Sequence, residues 1–231
     1  MCGRVTQTDP ARIVRELSIT GKIPDLGTEP RFNIAPTQLV PVVRLLSGRE
    51  GRRLDLLRWG LVPSWAKDPA IGSKLINARV ESVADKPAFR TAFDARRCLV
   101  VVDGFYEWRR EGRTKQPFHL RSESGELLVM AGLWDRWTSP DGEVVETFTI
   151  VTKPAEERIK DIHDRMPAIL SRAHQDAWLD AGRHDATSLQ GLLAIPSPPL
   201  VATPVGTRVN KADYDAPDCI EPVQVQRGLF D

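Results

Sequence analysis

Cys2 is the residue whose chemistry stands out first. It follows the initiator in Met1-Cys2-Gly3-Arg4. Methionine removal is efficient before a small residue, so the mature chain is expected to begin with cysteine. A free amine and a thiol would then sit on adjacent carbons of one residue. Such a 1,2-aminothiol condenses with an aldehyde to an imine and closes a five-membered thiazolidine through sulfur, which no internal cysteine can do. With ordinary values of about 7.7–8.0 for the amine and about 8.5 for the thiol, both groups are partly available near neutrality. The plainer reading is a frayed terminal residue of no consequence, and the terminus taken alone favours it.

Three other places carry polar groups in strand-end or loop-like contexts. In Asn77-Ala78-Arg79-Val80-Glu81 the amide can orient an amine or carbonyl, and the arginine can clamp a phosphate through its planar fork. A turn closed by an Arg–Glu pair serves equally well. Glu107 lies in Asp103-Gly104-Phe105-Tyr106-Glu107-Trp108, where desolvation beside aromatics raises a carboxylate pKa and suits it to proton transfer. An exposed edge glutamate is the even alternative. His163, in His163-Asp164-Arg165-Met166-Pro167, is one of 4 histidines. It reads as a general acid or, somewhat better in isolation, as a helix C-cap. Trp59-Gly60-Leu61-Val62-Pro63-Ser64-Trp65 adds two indoles usable for base stacking, although core filling is the commoner job.

The elements that must position these residues are short. Strands are expected at Leu39 to Leu46, Leu54 to Trp59, Leu99 to Val102, Pro117 to Arg121, Leu127 to Leu133 and Thr147 to Thr152. Turns fall at Ser47-Gly48-Arg49-Glu50-Gly51, Ser124-Gly125 and Asp141-Gly142, the last a strong hairpin signal. Helices are expected after Asp9-Pro10, over Pro87 to Phe93, over Ala155 to Ile162 and after Ser171. Two short strands should return after Pro196-Ser197-Pro198-Pro199, ahead of a loose tail. Strands outnumber helices and rarely alternate with them. The expected fold is α+β, one domain over 1–231, with a mostly antiparallel, barrel-like sheet and short flanking helices.

Composition narrows the function classes. At 231 residues, 41% apolar and 27% charged, the chain reads as an ordinary soluble globule. A net charge of +1 leaves no global basic field, so a polyanion must be held by a local patch. Neither a membrane-length apolar run nor a signal peptide is visible, and a cytoplasmic location is expected. The 3 cysteines, at 2, 98 and 219, fit neither a disulfide framework nor paired zinc ligands. No metal or cofactor is expected. Cys98 reads as a buried small hydrophobe, Cys219 as an incidental tail residue.

Each signal alone is weak, but their order is informative. Cys2-Gly3-Arg4, Asn33-Ile34-Ala35-Pro36, Trp59-Gly60-Leu61-x-Pro63-x-Trp65, Asn77-Ala78-Arg79-x-Glu81, Gly104-Phe105-Tyr106-Glu107-Trp108 and His163-Asp164-Arg165-Met166-Pro167 follow one another along the chain. The set resembles the SOS response-associated peptidase family over residues 2–211, leaving 212–231 as a tail without a motif. The resemblance implies a covalent thiazolidine crosslink between the N-terminal cysteine and the ring-opened sugar of an abasic site. The DNA would be single-stranded, junctions with duplex included, and the protein would be a monomer that is nucleoid-associated when bound. The family's peptidase name refers to an inferred removal of the residues before the cysteine.

Carried over by position, Cys2 would be the nucleophile and Asn77 would hold its amine. Glu107 would shuttle protons and His163 would help open the sugar hemiacetal. Arg4, Arg79 and Arg165 would take phosphates, a log–log salt slope of roughly −2 in total. Pro36 and Trp65 would splay the strand, and Asn33 and Trp108 complete the expected DNA-contacting set. One departure is Ala66, where some relatives carry a second tryptophan, which puts one stacking surface in doubt. Two other classes stay open: a cysteine hydrolase built on Cys2, His163 and Asn77, and a noncovalent single-strand binding module that leaves Cys2 idle.

Overall fold

The apolar run Cys98-Leu99-Val100-Val101-Val102 is buried on both faces, and the reason is a strand with packed layers on either side. The computed structural model describes residues 2–20, 23–27, 29–45 and 51–224. Within them lie β1 (Val5–Gln7), α1 (Ala11–Glu16), β2 (Arg31–Ile34), β3 (Leu39–Arg44), β4 (Arg53–Trp59), β5 (Asn77–Arg79), α2 (Arg90–Ala95), β6 (Arg97–Val102), β7 (Gly104–Glu111) and β8 (Thr114–Ser122). There follow β9 (Leu128–Thr138), β10 (Val144–Pro154), α3 (Glu157–Lys160), β11 (Arg165–Pro167), α4 (Arg172–Leu179), α5 (Ala186–Ala194) and β12 (Leu200–Pro204). Short 3₁₀ turns occupy Pro69–Lys74, Thr207–Asn210 and Pro217–Cys219.

The larger sheet follows the path β10-β4-β3-β6-β9, and β9 pairs back onto β10, so these strands close into a barrel. Around the barrel all pairings are antiparallel except β10 with β4. Closure leaves no exposed edge among these strands. Alternate residues divide between two cores, as the period of a strand requires. Val40, Val42, Cys98, Val100 and Met130 pack toward Val5, Phe105 and Leu120 of the second sheet. Val43, Leu99, Val101 and Leu133 pack toward Ile13, Phe93, Trp178 and Leu189 of the helices. The expected α+β fold with a mostly antiparallel, barrel-like core is the one observed.

The second sheet, in the order β12-β8-β7-β1-β2, carries the amino-terminal residues. Val5 stands opposite Phe105 and Thr6 opposite Gly104, and the Tyr106 N–H donates to Arg4 O at 3.0 Å. Continuing that antiparallel register by one pleat brings Gly3 opposite Glu107. β1 is fixed by a buried cluster. Thr6 Oγ1 donates to Asp103 Oδ1 at 2.5 Å, Thr8 donates its N–H and its hydroxyl to Asp103 Oδ2, and His119 Nε2 lies 3.2 Å from Thr6 Oγ1. A Cβ on Gly104 would meet His119 Nε2 at 2.2 Å, so only glycine lets the imidazole close over β1.

β10 runs on beyond the barrel and collects two short strands. Ile150 to Thr152 pair in parallel with Asn77 to Arg79, while Thr152 to Pro154 pair antiparallel with Arg165 to Pro167. Two of the sequence motifs are therefore strands on opposite edges of one strand, not loops. Their apolar alternation is too short to read, with only 3 residues in each. The Asp141-Gly142 hairpin forms as expected between β9 and β10, with Gly142 at φ +86°. Ser47 to Glu50 of the expected first turn lie outside the described residues. The tail is not loose as far as 224. Cys219 is buried against Tyr106, Val205 and Val209, and Tyr214 packs beside them. A single strand, β12, returns after the proline-rich segment, followed by 3₁₀ turns where a second strand was expected.

Candidate active site

Cys2 lies fully buried at the junction of the two sheets. Its Sγ approaches Arg4 O at 4.0 Å, and its own carbonyl accepts the Asn77 Nδ2 hydrogen bond at 2.8 Å. That bond fixes which end of the amide points where. Asn77 Oδ1 is consequently buried with no hydrogen-bond donor among the described residues. An amide acceptor left in this position suits an amine on the residue that Asn77 already holds. Burial, reinforced by the nearby Glu107 carboxylate, pushes the thiol far above its ordinary range, and the chain's amino-terminal charge only partly offsets this. The expectation of a partly ionised thiol near neutrality is corrected by desolvation: in this fold Cys2 is an SH group.

Glu107, on β7, is 1% exposed. Burial pushes its carboxyl up to about 7, with the amino-terminal charge pulling it down and Asp164 adding to the rise. It is a buried acid, not an exposed edge glutamate. His163 follows α3, and its Nε2 lies 3.9 Å from Glu107 Oε2. Its Nδ1 accepts the Arg165 backbone N–H at 3.0 Å, which in the neutral ring leaves the proton on Nε2, toward Glu107. The Asp164 carboxylate, 2.8 Å from the same Nδ1, becomes the partner only when the ring is doubly protonated. Burial and the amino-terminal charge lower the His163 pKa and favour the neutral ring.

Glu107 and His163 open onto a cleft of about 880 Å³. Its walls carry six cations, Arg79, Arg109, Arg110, Lys115, Lys160 and Arg165, against the acids Glu107, Asp161 and Asp164. This is the local basic patch that a chain of net charge +1 needs to hold a polyanion. Arg79 is exposed and makes no ion pair among the described residues. Arg165 is bidentate on Glu81, at 2.5 and 3.0 Å, and also donates to Thr152 O, so Glu81 must release it before it can take a phosphate. The Arg–Glu pair expected within one turn thus runs from Glu81 to Arg165 rather than to Arg79.

Two expected DNA contacts are internal ties. Arg4 donates to Asn33 Oδ1 and Val209 O at 2.8 and 2.7 Å, and also to Asn210 O. Asn33 is 1% exposed and spends its amide on Val209 O, Lys211 O and Tyr214 O. Together they fasten the 209–214 segment onto β2, and neither reaches the cleft lining. Sequence reasoning had no means to see this, because the carbonyls that both residues hold lie more than a hundred residues further along the chain.

The aromatic residues divide. Trp59 is core, 1% exposed and stacked on Phe148 at 6.2 Å. Trp65 is 58% exposed and stands over a separate depression with Lys67 and Lys74. Pro36 is half-buried and precedes Thr37, whose φ is +75°. Ala66 packs inward against Val62 and Trp137, and its carbonyl accepts the Trp137 indole N–H at 2.7 Å. Trp108 lines the cleft with its indole N–H on Asn210 Oδ1 at 2.7 Å. Asn210, Arg110, Lys115 and Lys160 went unnoticed in the sequence. The cation run 109–115 was the available signal, but such a run is most often a solvated face. Among the described residues no cluster of His, Cys, Asp or Glu could hold a metal ion, and no helix is long and apolar enough to cross a membrane.

A buried cysteine near the amino terminus, an amide on its carbonyl, and a Glu–His pair lining a cationic cleft define a cysteine-centred site. The chain belongs to the SOS response associated peptidase (SRAP) family, whose model matches residues 1–212. It is 38% identical over 224 residues to the abasic site processing protein YoqW of Bacillus subtilis, covering 96% of this chain and 99% of that one. It is 31% identical to the abasic site processing protein YedK of Escherichia coli, covering 96% and 100%. A vertebrate relative, the abasic site processing protein HMCES of Xenopus tropicalis, is 31% identical over 84% of this chain and 67% of its own. A solved protein from Bacteroides thetaiotaomicron shares the fold at a TM-score of 0.85, with 22% identity over 97% of this chain and 100% of that one.

Proposed function

We propose that this protein processes abasic sites in DNA, and that it does so by a covalent thiazolidine link from Cys2. The observation that carries the reading is the pairing of Cys2 with Asn77 beside a carboxyl whose pKa of about 7 lets it give and take a proton at neutral pH. The family and the names of the relatives support abasic-site processing, and the aminothiol supplies the chemistry that an aldehyde calls for.

Loss of Met1 gives Cys2 its α-amine, and Asn77 Oδ1 accepts one of its hydrogens. His163 Nε2–H gives its proton to the ring oxygen of the closed sugar, and the C1′ hydroxyl proton returns to that nitrogen, so the sugar opens to the aldehyde with the imidazole neutral before and after. The amine nitrogen then bonds to C1′ and passes a proton to the carbonyl oxygen, forming a carbinolamine. Protonated Glu107 delivers its proton to the departing hydroxyl, which leaves as water, and an iminium remains. The Cys2 sulfur bonds to the same carbon and its proton passes to the Glu107 carboxylate, so one group serves both steps. One molecule of water is lost overall. A buried, protonated thiol is suited to this order, since it cannot compete with the amine for the aldehyde and closes only once the iminium is in place.

A hydrolase would need Cys2 activated by His163. Here Sγ faces the Arg4 carbonyl and His163 turns Nε2 to Glu107. The test is a denaturing gel of the protein with a single strand carrying one abasic site. The wild-type chain should give a heat-stable slow band and Cys2→Ser none. An equally stable band from Cys2→Ser would end the sulfur assignment.

A further inference from the structure

The hairpin that carries Glu107 continues past it into a pair of cations that this chemistry does not use. β7 and β8 stay in register from Gly104 opposite Arg121 to Glu111 opposite Thr114, and Arg110 stands directly opposite Lys115. Like charges facing each other across two strands are destabilising. Arg109 shows the ordinary remedy: it is bound to Glu111 at 2.5 Å and lies over the Phe118 ring at 4.9 Å. Glu111 is thereby taken up. Arg110 and Lys115 are exposed and have no ion pair or side-chain hydrogen bond among the described residues.

Both line the same cleft as Glu107 and His163. By strand alternation they share a face of the hairpin with Trp108, whose ring is held by its bond to Asn210. Trp108 and Arg110 are two residues apart, ~7 Å along the strand, about the reach of one extended nucleotide. A fixed aromatic face followed by two unneutralised cations, all continuous with the reacting cleft, matches the base-then-phosphate repeat of a nucleic-acid strand better than an acidic peptide, which offers no ring to stack.

We propose that Arg110 and Lys115 form a phosphodiester clamp that holds the DNA strand beyond the nucleotide that reacts at Cys2. The proposal rests on the reading of the cleft as a DNA site but not on the covalent step, so it is tested on single strands bearing one tetrahydrofuran abasic analogue, which has no aldehyde to react. Affinity is measured against salt for a long strand and for a short one that ends at the analogue. The double variant Arg110→Gln, Lys115→Gln should flatten the log–log slope on the long strand by about 1.4, at ~0.7 per lost phosphate contact. On the short strand the two slopes should coincide. The charge-keeping swap Arg110→Lys, Lys115→Arg should retain the steep slope, and the glutamine variant should melt no lower than wild type because a repulsion has been removed.

An unchanged slope on the long strand would overturn the clamp, and so would an equal loss on both strands, which marks a diffuse field. Crosslinking by the wild-type chain is run alongside. A lost slope without any wild-type adduct leaves the clamp standing and sinks the covalent reading. An adduct with an unchanged slope sinks the clamp alone.

Discussion

Glu107 shows most directly how position makes chemistry in this chain. A carboxyl with a pKa of about 7, against 4.5 unperturbed, is protonated in the folded state over a pH range where the unfolded chain has lost its proton. Stability therefore falls as pH rises from about 4.5 through 7 and is level above that, where both states are ionised. The cost at pH 8 is on the order of 3 kcal/mol. Glu107→Gln should recover most of it: the variant should be more stable than wild type in urea at pH 8, with the gap closing toward pH 5. The same change should slow adduct formation by ~10²–10³-fold and flatten the alkaline limb of its pH profile. Equal stability at both pH values would mean that the carboxyl is not held up by burial. The sequence located this residue, and its desolvation by neighbouring aromatics was foreseeable. The orientation of His163 was not, because it depends on an Arg165 backbone N–H that only the fold brings to Nδ1.

At the scale of elements, the site depends on β1 being held in place over only 3 residues. Asp103 supplies the hold through Thr6 and Thr8. Asp103→Ala should cost about 2–3 kcal/mol, read from the urea midpoint, since it removes several charge-assisted hydrogen bonds at a half-buried site. It should also lower the crosslinking rate more than the affinity for undamaged strands, because Cys2 and not the cleft wall hangs on β1. A rate unchanged by a proven loss of stability would detach β1 from the chemistry. The long barrel strands were legible from their apolar patterns and turn residues. β1, β5 and β11 were not. Strands of 3 residues have no readable period and exist because longer neighbours pair with them.

For the whole molecule the question is how a chain of net charge +1 would grip the DNA strand proposed for it. The cleft concentrates cations on one side, but their partners decide which are available. Arg79 has no ion pair among the described residues, whereas Arg4 is an internal tie. Arg79→Gln should reduce the salt slope by about 0.7 and weaken all sequences alike. Arg4→Gln should leave the slope as it is and lower the melting temperature by loosening the 209–214 segment. The reverse pattern, measured by affinity titrations at several salt concentrations, would return Arg4 to the phosphate contacts. Charge totals and motif order pointed to a local patch but could not distinguish a free arginine from a committed one, since that distinction rests on carbonyls distant in sequence.

The central claim, that Cys2 closes a thiazolidine on an abasic aldehyde, is tested most directly by the intact mass of the adduct together with its thiol count. The chain without Met1 and a single strand bearing one abasic site should give a species weighing the sum of the two less one water. The adduct is then denatured and alkylated. Of the 3 cysteines, Cys98 and Cys219 should take the label and Cys2 should not, because its sulfur is in the ring. Labelling of all 3 in an adduct of that mass would leave an open imine, and an adduct formed in full by a chain that keeps Met1 would end the thiazolidine assignment, since the Cys2 amine is then blocked.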